Sequence, residues 1–204
     1  MRPDVIRAAN AIFRYIDICS NGTIRIEDDY TQKIFVSLDG EKDFHDAVRG
    51  PGVFDKVLRN YKNDPRVVLS MTINERNWEQ IEYVIQLAIE NRMLGVSCDI
   101  YTPTPDHQGN DKLFLQPEDR KKVIAEFWHL KKKYPKTFLM SKSAIRWFEN
   151  PDHGGQKCYW HQEVAHFNTQ LEERISCKDL DCRNCGHFAQ ANLSPLNFLV
   201  FKSR

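Results

Sequence analysis

The sequence predicts an α/β fold, in which parallel strands and helices alternate either as a layered sheet or as part of a barrel. Two observations lead to this prediction. Short runs rich in β-branched and aromatic residues recur in the 204-residue chain, and the segments between them repeat apolar residues at helical spacing. The connections are short, so successive strands are expected to pair in parallel through right-handed crossovers.

Four strands are predicted, and each is a short apolar run followed by a polar turn. The first two are followed by the turns "SNGT" and "DGEKDFHD". The predicted strands are "RYIDIC" (14–19), "KIFVSL" (33–38), "RVVLSMTI" (66–73) and "GVSCDIYT" (95–102).

Helices are predicted between and after these strands, over residues 51–62, 75–93 and 116–134. Pro51 and Pro117 suit first helical turns, where a missing backbone N–H costs nothing. The strongest helical period lies in "ERNWEQIEYVIQLAIENRM", which is segment 75–93.

Composition limits the class of partner. The chain is 41% hydrophobic and 28% charged, and its formal net charge is +1, so no overall field attracts nucleic acid or an anionic membrane. No stretch approaches the roughly 18 apolar residues of a membrane span, and no export signal opens the chain. We therefore expect a cytoplasmic protein without nucleic-acid or membrane partners.

Cysteine spacing predicts a metal site near the carboxyl terminus. Four of the six cysteines, Cys158, Cys177, Cys182 and Cys185, lie in the last 50 residues. The C-x4-C-x2-C arrangement of the last three lets their thiolates converge, and Cys158 is a candidate fourth ligand. Zinc and an iron–sulfur cluster both accept such a set, and thiols with no metal role are the alternative. Nearby histidines are possible substitute ligands or parts of a solvated tail: His153, His161, His166 and His187.

Polar side chains follow the predicted strands at their carboxyl ends, where parallel α/β folds place their binding sites. Ser37 and Asp39 end the second strand, Asn74 ends the third, and Tyr101 and Thr102 end the fourth. Each alone is equally well explained as a turn or packing residue. Their predicted common edge is the argument for a binding site.

The order of four segments resembles the middle and later strands of radical S-adenosylmethionine (radical SAM) enzymes. These segments are "CSNGT", "KIFVSLDGEKDFHDAVRGPGVFDKVLRN", "VVLSMTINERNWEQIEYVIQLA" and "GVSCDIYTPTP". The tail, with "QKCYW" and "CKDLDCRNCGHFA", is similar to the subgroup that includes adenosylhopene transferase. The resemblance covers roughly residues 10 to 190.

This resemblance implies an incomplete (β/α)6 partial barrel of about four parallel strands over residues 1–149. A cysteine-rich, loop-rich extension over residues 150–204 would carry an accessory metal or iron–sulfur site. In the family, S-adenosylmethionine lies across the strand ends. By resemblance, Ser37 and Asp39 approach its ribose and methionine portion, Asn74 contacts the same ligand, and Tyr101 and Thr102 lie near its adenine.

One departure from the family limits the expected activity. The C-x3-C-x2-C loop that holds the family's [4Fe–4S] cluster does not occur before Cys19, and the Gly-Gly-Glu strand end is also absent from the sequence. We therefore expect a truncated, split or degenerate radical SAM enzyme that acts on an unknown small molecule or peptide. Alone it would be inactive, so a complementing amino-terminal segment or partner chain is expected. The alternative is a non-catalytic zinc- or iron–sulfur-binding α/β module that binds a protein partner.

Overall fold

The computed structural model describes residues 3–104, 111–150, 165–173, 177 and 181–187. Its regular elements follow one another in chain order: α1 Pro3–Ile12, β1 Ile18–Ser20, β2 Ile34–Ser37, α2 Lys42–Arg49, α3 Val53–Tyr61, β3 Val67–Ile73, a 3-10 turn Trp78–Gln80, α4 Ile81–Glu90, β4 Gly95–Ile100, α5 Pro117–Lys133, α6 Lys142–Glu149 and a second 3-10 turn Cys182–Asn184.

The four strands form one parallel sheet in the order β1-β2-β3-β4. Parallel pairing places Ile18 beside Ile34 and Ser37 beside Ser70. β4 runs in the same direction, because the Leu94 N–H donates to the Val67 carbonyl at 2.8 Å at one end of the pair and the Tyr101 N–H donates to the Ile73 carbonyl at 2.7 Å at the other. The prediction of an α/β fold with four parallel strands is confirmed.

The chain divides into two compact units. The first unit comprises Met1–Met71, Asn77–Cys98 and Lys132–Leu139. The second comprises Thr72–Arg76, Asp99–Lys131 and Met140–Arg204. β3 and β4 each begin in the first unit and end in the second.

The first unit is built around the apolar strands β2 and β3. Five of the seven residues of β3 are buried, Ser70 is half-buried and Thr72 is exposed, as expected for a parallel strand that is covered on both faces over most of its length. The turn after β1 lies against α3, where the Tyr61 hydroxyl donates to the Ile24 carbonyl at 2.9 Å and the Asn60 side chain donates to the Gly22 carbonyl at 2.9 Å. These two hydrogen bonds therefore connect the turn after β1 to α3.

The second unit is built around α5 and α6. The Phe127 and Phe148 rings lie 6.2 Å apart in a tilted arrangement, and Trp128 Nε1 donates to Glu149 Oε1 at 2.8 Å. The buried side chains of α5 repeat at helical spacing and include one charge: Arg120, Val123, Ile124, Phe127 and Leu130.

Several predicted boundaries are wrong. The segment "DGEKDFHD", predicted as a turn, contains the first half of α2. β1 is three residues long instead of spanning 14–19. The helix predicted over 75–93 starts with a 3-10 turn and becomes α4 only at Ile81. The reason is local, because Asn74 Oδ1 accepts the Arg76 N–H at 2.9 Å and so competes with helix initiation.

The pattern also missed three structured segments. The helices α1 and α6 were not predicted, and Phe138 forms a parallel bridge with Val96 on β4.

Among the described helices, none combines the length and apolar character needed to cross a bilayer.

Candidate functional site

In the first unit, Ser37 and Asp39 lie at the carboxyl end of β2. Ser37 is the last residue of the strand and is half-buried. Asp39 is 4% exposed, and its Oδ2 accepts a hydrogen bond from Arg49 Nε at 2.6 Å. The Asp39 carboxylate is therefore already engaged in an ion pair with α2, which the sequence did not predict.

Three side chains hold the backbone of the turn that follows β2. The Asp39 N–H donates to His45 Nδ1 at 3.1 Å, and Asn77 Nδ2 donates to the Asp39 carbonyl at 3.1 Å. Two residues further on, the Glu41 N–H donates to Gln80 Oε1 at 2.7 Å. The turn is thus fixed in place before any ligand arrives, which is what a preorganised binding site requires.

His45 is fully buried behind this turn. Because its Nδ1 accepts a hydrogen bond, its proton lies on Nε2, and this buried nitrogen has no partner among the described residues. Burial lowers the pKa of His45 below its usual value, while the nearby Asp39 raises it by a smaller amount. We therefore describe His45 as a neutral imidazole that positions Asp39.

In the second unit, the ends of β3 and β4 lie side by side, because the Tyr101 N–H donates to the Ile73 carbonyl at 2.7 Å. Asn74 directly follows β3, and its amide group donates to the Thr72 carbonyl at 3.2 Å. Asn74 and Tyr101 therefore lie at adjacent strand ends, as the sequence predicted.

Tyr101 and Thr102 both have structural partners. The Tyr101 hydroxyl donates to Asp111 Oδ2 at 2.7 Å, and this hydrogen bond, together with burial, raises the pKa of Tyr101 to about 12. Thr102 is 8% exposed, and its Oγ1 accepts the Gly186 N–H at 2.9 Å. Contact between either side chain and adenine stays a prediction.

The cysteine-rich segment 181–187 lies against the end of β4. The Ile100 N–H donates to the Gly186 carbonyl at 2.8 Å, and the Asp181 N–H donates to the Pro103 carbonyl at 2.8 Å. The approach at Gly186 is so close that a Cβ there would lie 1.8 Å from the Ile100 oxygen. Only glycine can occupy this position without displacing the segment.

Arg120 of α5 holds the same segment from the other side. Its side chain donates to the carbonyls of Phe148 at 3.3 Å, Asn184 at 3.3 Å and Cys185 at 2.7 Å. Arg120 is 7% exposed, and this burial lowers its pKa to about 10, while the nearby Cys185 thiol acts in the opposite direction. The sequence analysis missed Arg120, although its place on the apolar stripe of α5 was a usable signal.

The predicted metal ligands are only partly described. Cys158, His153 and His161 lie outside the described residues. Cys182 is exposed, Cys185 is 6% exposed, and Cys177 forms a hydrogen bond with His187 that raises the pKa of the imidazole. Across the described ranges, no three histidine, cysteine or acidic side chains are gathered as around a metal ion. The four-cysteine set therefore stays a prediction.

Two observations bear on whether the tail suits a metal centre. Arg120 is a buried cation beside Cys185, and it forms no ion pair with a carboxylate in the described part of the chain. His187 Nε2 is buried beside Cys177 and has no hydrogen-bond partner in the same ranges. The described cysteines and His187 are nevertheless not gathered around a common point, so this part of the segment does not by itself fit a metal centre.

The strand ends of the first unit also suit part of S-adenosylmethionine. The Ser37 hydroxyl can donate to or accept from a ribose hydroxyl. Arg49 uses Nε for Asp39, and its two terminal nitrogens make no hydrogen bond within the described residues, which suits a carboxylate.

Comparisons with known proteins support the fold. No protein-family model and no curated protein matches the sequence. Among solved structures, the chain is similar to one described as "Native anSMEcpe with bound AdoMet", with a TM-score of 0.54 and 14% sequence identity. AdoMet is S-adenosylmethionine. The similarity covers 91% of this chain and 58% of that chain, so this chain spans little more than half of its neighbour's length. At this identity the likeness concerns the fold alone.

Proposed function

We propose that this chain is the S-adenosylmethionine-binding part of a radical SAM enzyme. The observation that carries the proposal is the similarity of its fold to a structure with bound AdoMet. The polar strand ends add to it, since β2 ends in Ser37 and is followed by the Asp39–Arg49 pair, in which His45 and Asn77 hold the Asp39 backbone. The order of motifs in the sequence points to the same family, and the substrate would be a small molecule or a peptide.

We further propose that the chain needs a complementing segment or partner chain that supplies the C-x3-C-x2-C motif. β1 lies at one end of the strand order, and it is only three residues long. Large apolar side chains just before it are exposed: Ile12 is 75%, Phe13 62% and Tyr15 67% exposed. The outer edge of a terminal strand offers backbone groups for pairing, so this side suits further strands.

Binding of S-adenosylmethionine to the full chain tests the proposal, measured by equilibrium dialysis with and without the complementing polypeptide. We expect Ser37→Ala to weaken binding about fivefold, the effect of one lost hydrogen bond. Asp43→Asn, an exposed change in the first turn of α2, is the matched control and should bind as the wild type does. Absence of binding under both conditions would refute the proposal.

A second candidate function is a non-catalytic metal-binding α/β module that binds a protein partner. It is favoured by the cysteine-rich segment 181–187, which is attached to β4 and α5 by specific hydrogen bonds. Anaerobic purification followed by iron, sulfide and zinc analysis separates the two candidates. Brown protein with acid-labile sulfide supports the radical SAM proposal, whereas colourless protein with one zinc per chain supports the module.

A further inference from the structure

Segment 181–187 contains a C-x-x-C pair, Cys182 and Cys185, on the 3-10 turn Cys182–Asn184. The Cys185 N–H donates to the Cys182 carbonyl at 3.4 Å and closes this turn. Residues three apart on a 3-10 turn lie on the same side, with Cα atoms about 6 Å apart, because each residue rises about 2 Å. A disulfide joins Cα atoms that are about 4.4 to 6.8 Å apart. The backbone spacing of the turn therefore suits a disulfide between the two cysteines.

The two cysteines differ in their access to solvent. Cys182 is exposed, whereas Cys185 is only 6% exposed. In a C-x-x-C pair that exchanges disulfides, one sulfur has to meet the incoming disulfide, and the other only has to reach the first sulfur. The exposure of Cys182 therefore suits the attacking thiol, and the burial of Cys185 suits the thiol that resolves the intermediate.

Hydrogen bonds on both sides of the turn hold the pair in this arrangement. Asp181, which is 4% exposed, accepts the Arg183 N–H at 3.1 Å on Oδ1 and the Asn184 side-chain amide at 2.8 Å on Oδ2. On the other side, Arg120 donates to the Cys185 carbonyl at 2.7 Å. The turn is thus fixed before a disulfide forms, which raises the effective concentration of one sulfur at the other.

We propose that Cys182 and Cys185 form a redox-active dithiol that exchanges with small-molecule disulfides. The Cys182 thiol gives its proton to solvent, and its sulfur attacks one sulfur of the incoming disulfide. A mixed disulfide forms, and the first small-molecule thiolate leaves and takes up a proton. Cys185 then loses its proton to solvent and attacks the Cys182 sulfur, which displaces the second small-molecule thiolate. The protein dithiol is oxidised to a disulfide, and the small-molecule disulfide is reduced to two thiols.

This exchange needs two sulfurs, whereas a structural metal centre of the zinc type needs four ligands. Across the described ranges, which include Cys177, Cys182, Cys185 and His187, no three histidine, cysteine or acidic side chains are gathered as around a metal ion. The described part of the tail thus provides what a disulfide requires. The inference goes beyond the proposed function and does not depend on binding of S-adenosylmethionine.

Exchange with glutathione disulfide tests the inference. The full chain is reduced, treated with a chelator and equilibrated anaerobically with defined ratios of reduced glutathione to glutathione disulfide. The remaining thiols are then alkylated, and the peptides are identified by mass spectrometry. We expect a bond between Cys182 and Cys185 whose fraction follows the ratio of the squared glutathione concentration to that of glutathione disulfide, as for a two-electron couple. Cys19 is the internal reference: it is exposed, and the next cysteine in the sequence is Cys98, so it should retain bound glutathione.

Single substitutions separate the two roles. In Cys185→Ser the mixed disulfide cannot be resolved, so glutathione bound to Cys182 should increase about tenfold over the wild type. In Cys182→Ser the buried Cys185 should react with glutathione disulfide about tenfold more slowly than Cys182 does in Cys185→Ser. Cys19→Ser is the matched control, because it removes another exposed cysteine and should leave the bond between Cys182 and Cys185 unchanged.

Three results for the wild-type chain would overturn the inference. These are stable glutathione on Cys182, a bond from Cys182 to a cysteine other than Cys185, and no bond between the pair in a large excess of glutathione disulfide. Because these results need no variant, the test remains decisive if a serine variant does not fold. Circular dichroism of the oxidised chain should match that of the reduced chain, and loss of the fold on oxidation would contradict a turn that already suits the bond. The experiment contains no S-adenosylmethionine, so its failure is separate from failure of the proposed function.

Discussion

Gly22 turns the chain after β1 at a φ of +74°, a conformation that costs little only for glycine. A Cβ at this position would lie 2.7 Å from both Val36 Cγ1 and Val57 Cγ2. We expect Gly22→Ala to lower the free energy of unfolding by about 1 to 3 kcal/mol more than Gly52→Ala. Gly52 is the matched control, because its φ is +71° and a Cβ added there would meet no atom within 4 Å. Equal losses in urea unfolding would show that backbone conformation alone explains the effect.

Asp64 and Arg66 form a largely buried pair that should make stability depend on pH. Burial alone would raise the pKa of Asp64, but the hydrogen bonds and charge of Arg66 outweigh it and lower the pKa. Because the pKa of Asp64 is lower in the folded chain than in the unfolded chain, where it is about 3.9, the ionised carboxylate stabilises the fold at pH values above about 3.9. This stabilisation is lost as the pH falls through the pKa of the folded state. At pH 7, Asp64→Asn should therefore lower the free energy of unfolding by about 3 kcal/mol. The difference in the free energy of unfolding between this variant and the wild type should shrink at acid pH.

Urea unfolding at several pH values checks this prediction. Asp28→Asn is the control, because Asp28 also accepts from Arg66, at 3.2 Å, yet 78% of its side chain is exposed. Asp28→Asn should lower the free energy of unfolding by no more than about 0.5 kcal/mol. A difference between Asp64→Asn and the wild type that does not change with pH would contradict an electrostatic origin.

Residue types predicted the location of the candidate site better than its contacts. Asp39 was correctly placed after β2, but its pairing with Arg49 depends on α2, which the sequence pattern had assigned to a turn. Arg120 is the reverse case, since a charge on the apolar stripe of a helix is visible in the sequence. Its hydrogen-bond partners are not visible there, because the Cys185 carbonyl lies far away along the chain.

At the scale of elements, segment 181–187 is attached to β4 through the backbone of Gly186. A Cβ at this residue would lie 1.8 Å from the Ile100 oxygen, so Gly186→Ala should displace the segment. We expect Cys185, which is 6% exposed, to become reactive towards iodoacetamide. Mass spectrometry of the alkylated peptides measures this, with the already exposed Cys182 as the internal reference. If Cys185 reacts slowly in both proteins, Gly186 does not control the position of the segment.

Elements with a strong apolar period were predicted best. β3 and β4 differ from their predicted ranges by one or two residues at most, because continuous apolar runs are typical of buried parallel strands. α1 was missed, although Val5, Ala8 and Ile12 recur in it at helical spacing, and none of its residues is buried. The start of α4 was misplaced because side-chain hydrogen bonds of Asn74 and Asn77 hold the preceding loop.

For the whole molecule, the proposed cleavage of S-adenosylmethionine needs both the binding site of this chain and a cluster-binding motif from a partner. The structural similarity covers 58% of the neighbouring chain with bound AdoMet, and the sequence lacks a C-x3-C-x2-C motif before Cys19. Cleavage of S-adenosylmethionine by a radical SAM enzyme needs an electron from the cluster that this motif would bind. We therefore expect this chain with a reductant to form no 5′-deoxyadenosine. Adding a polypeptide that carries the motif should restore its formation, as measured by chromatography. The same polypeptide with its cysteines changed to alanine is the control. Cleavage of S-adenosylmethionine by this chain alone would contradict the need for a partner. Absence of cleavage by the reconstituted pair would contradict the proposed radical SAM activity.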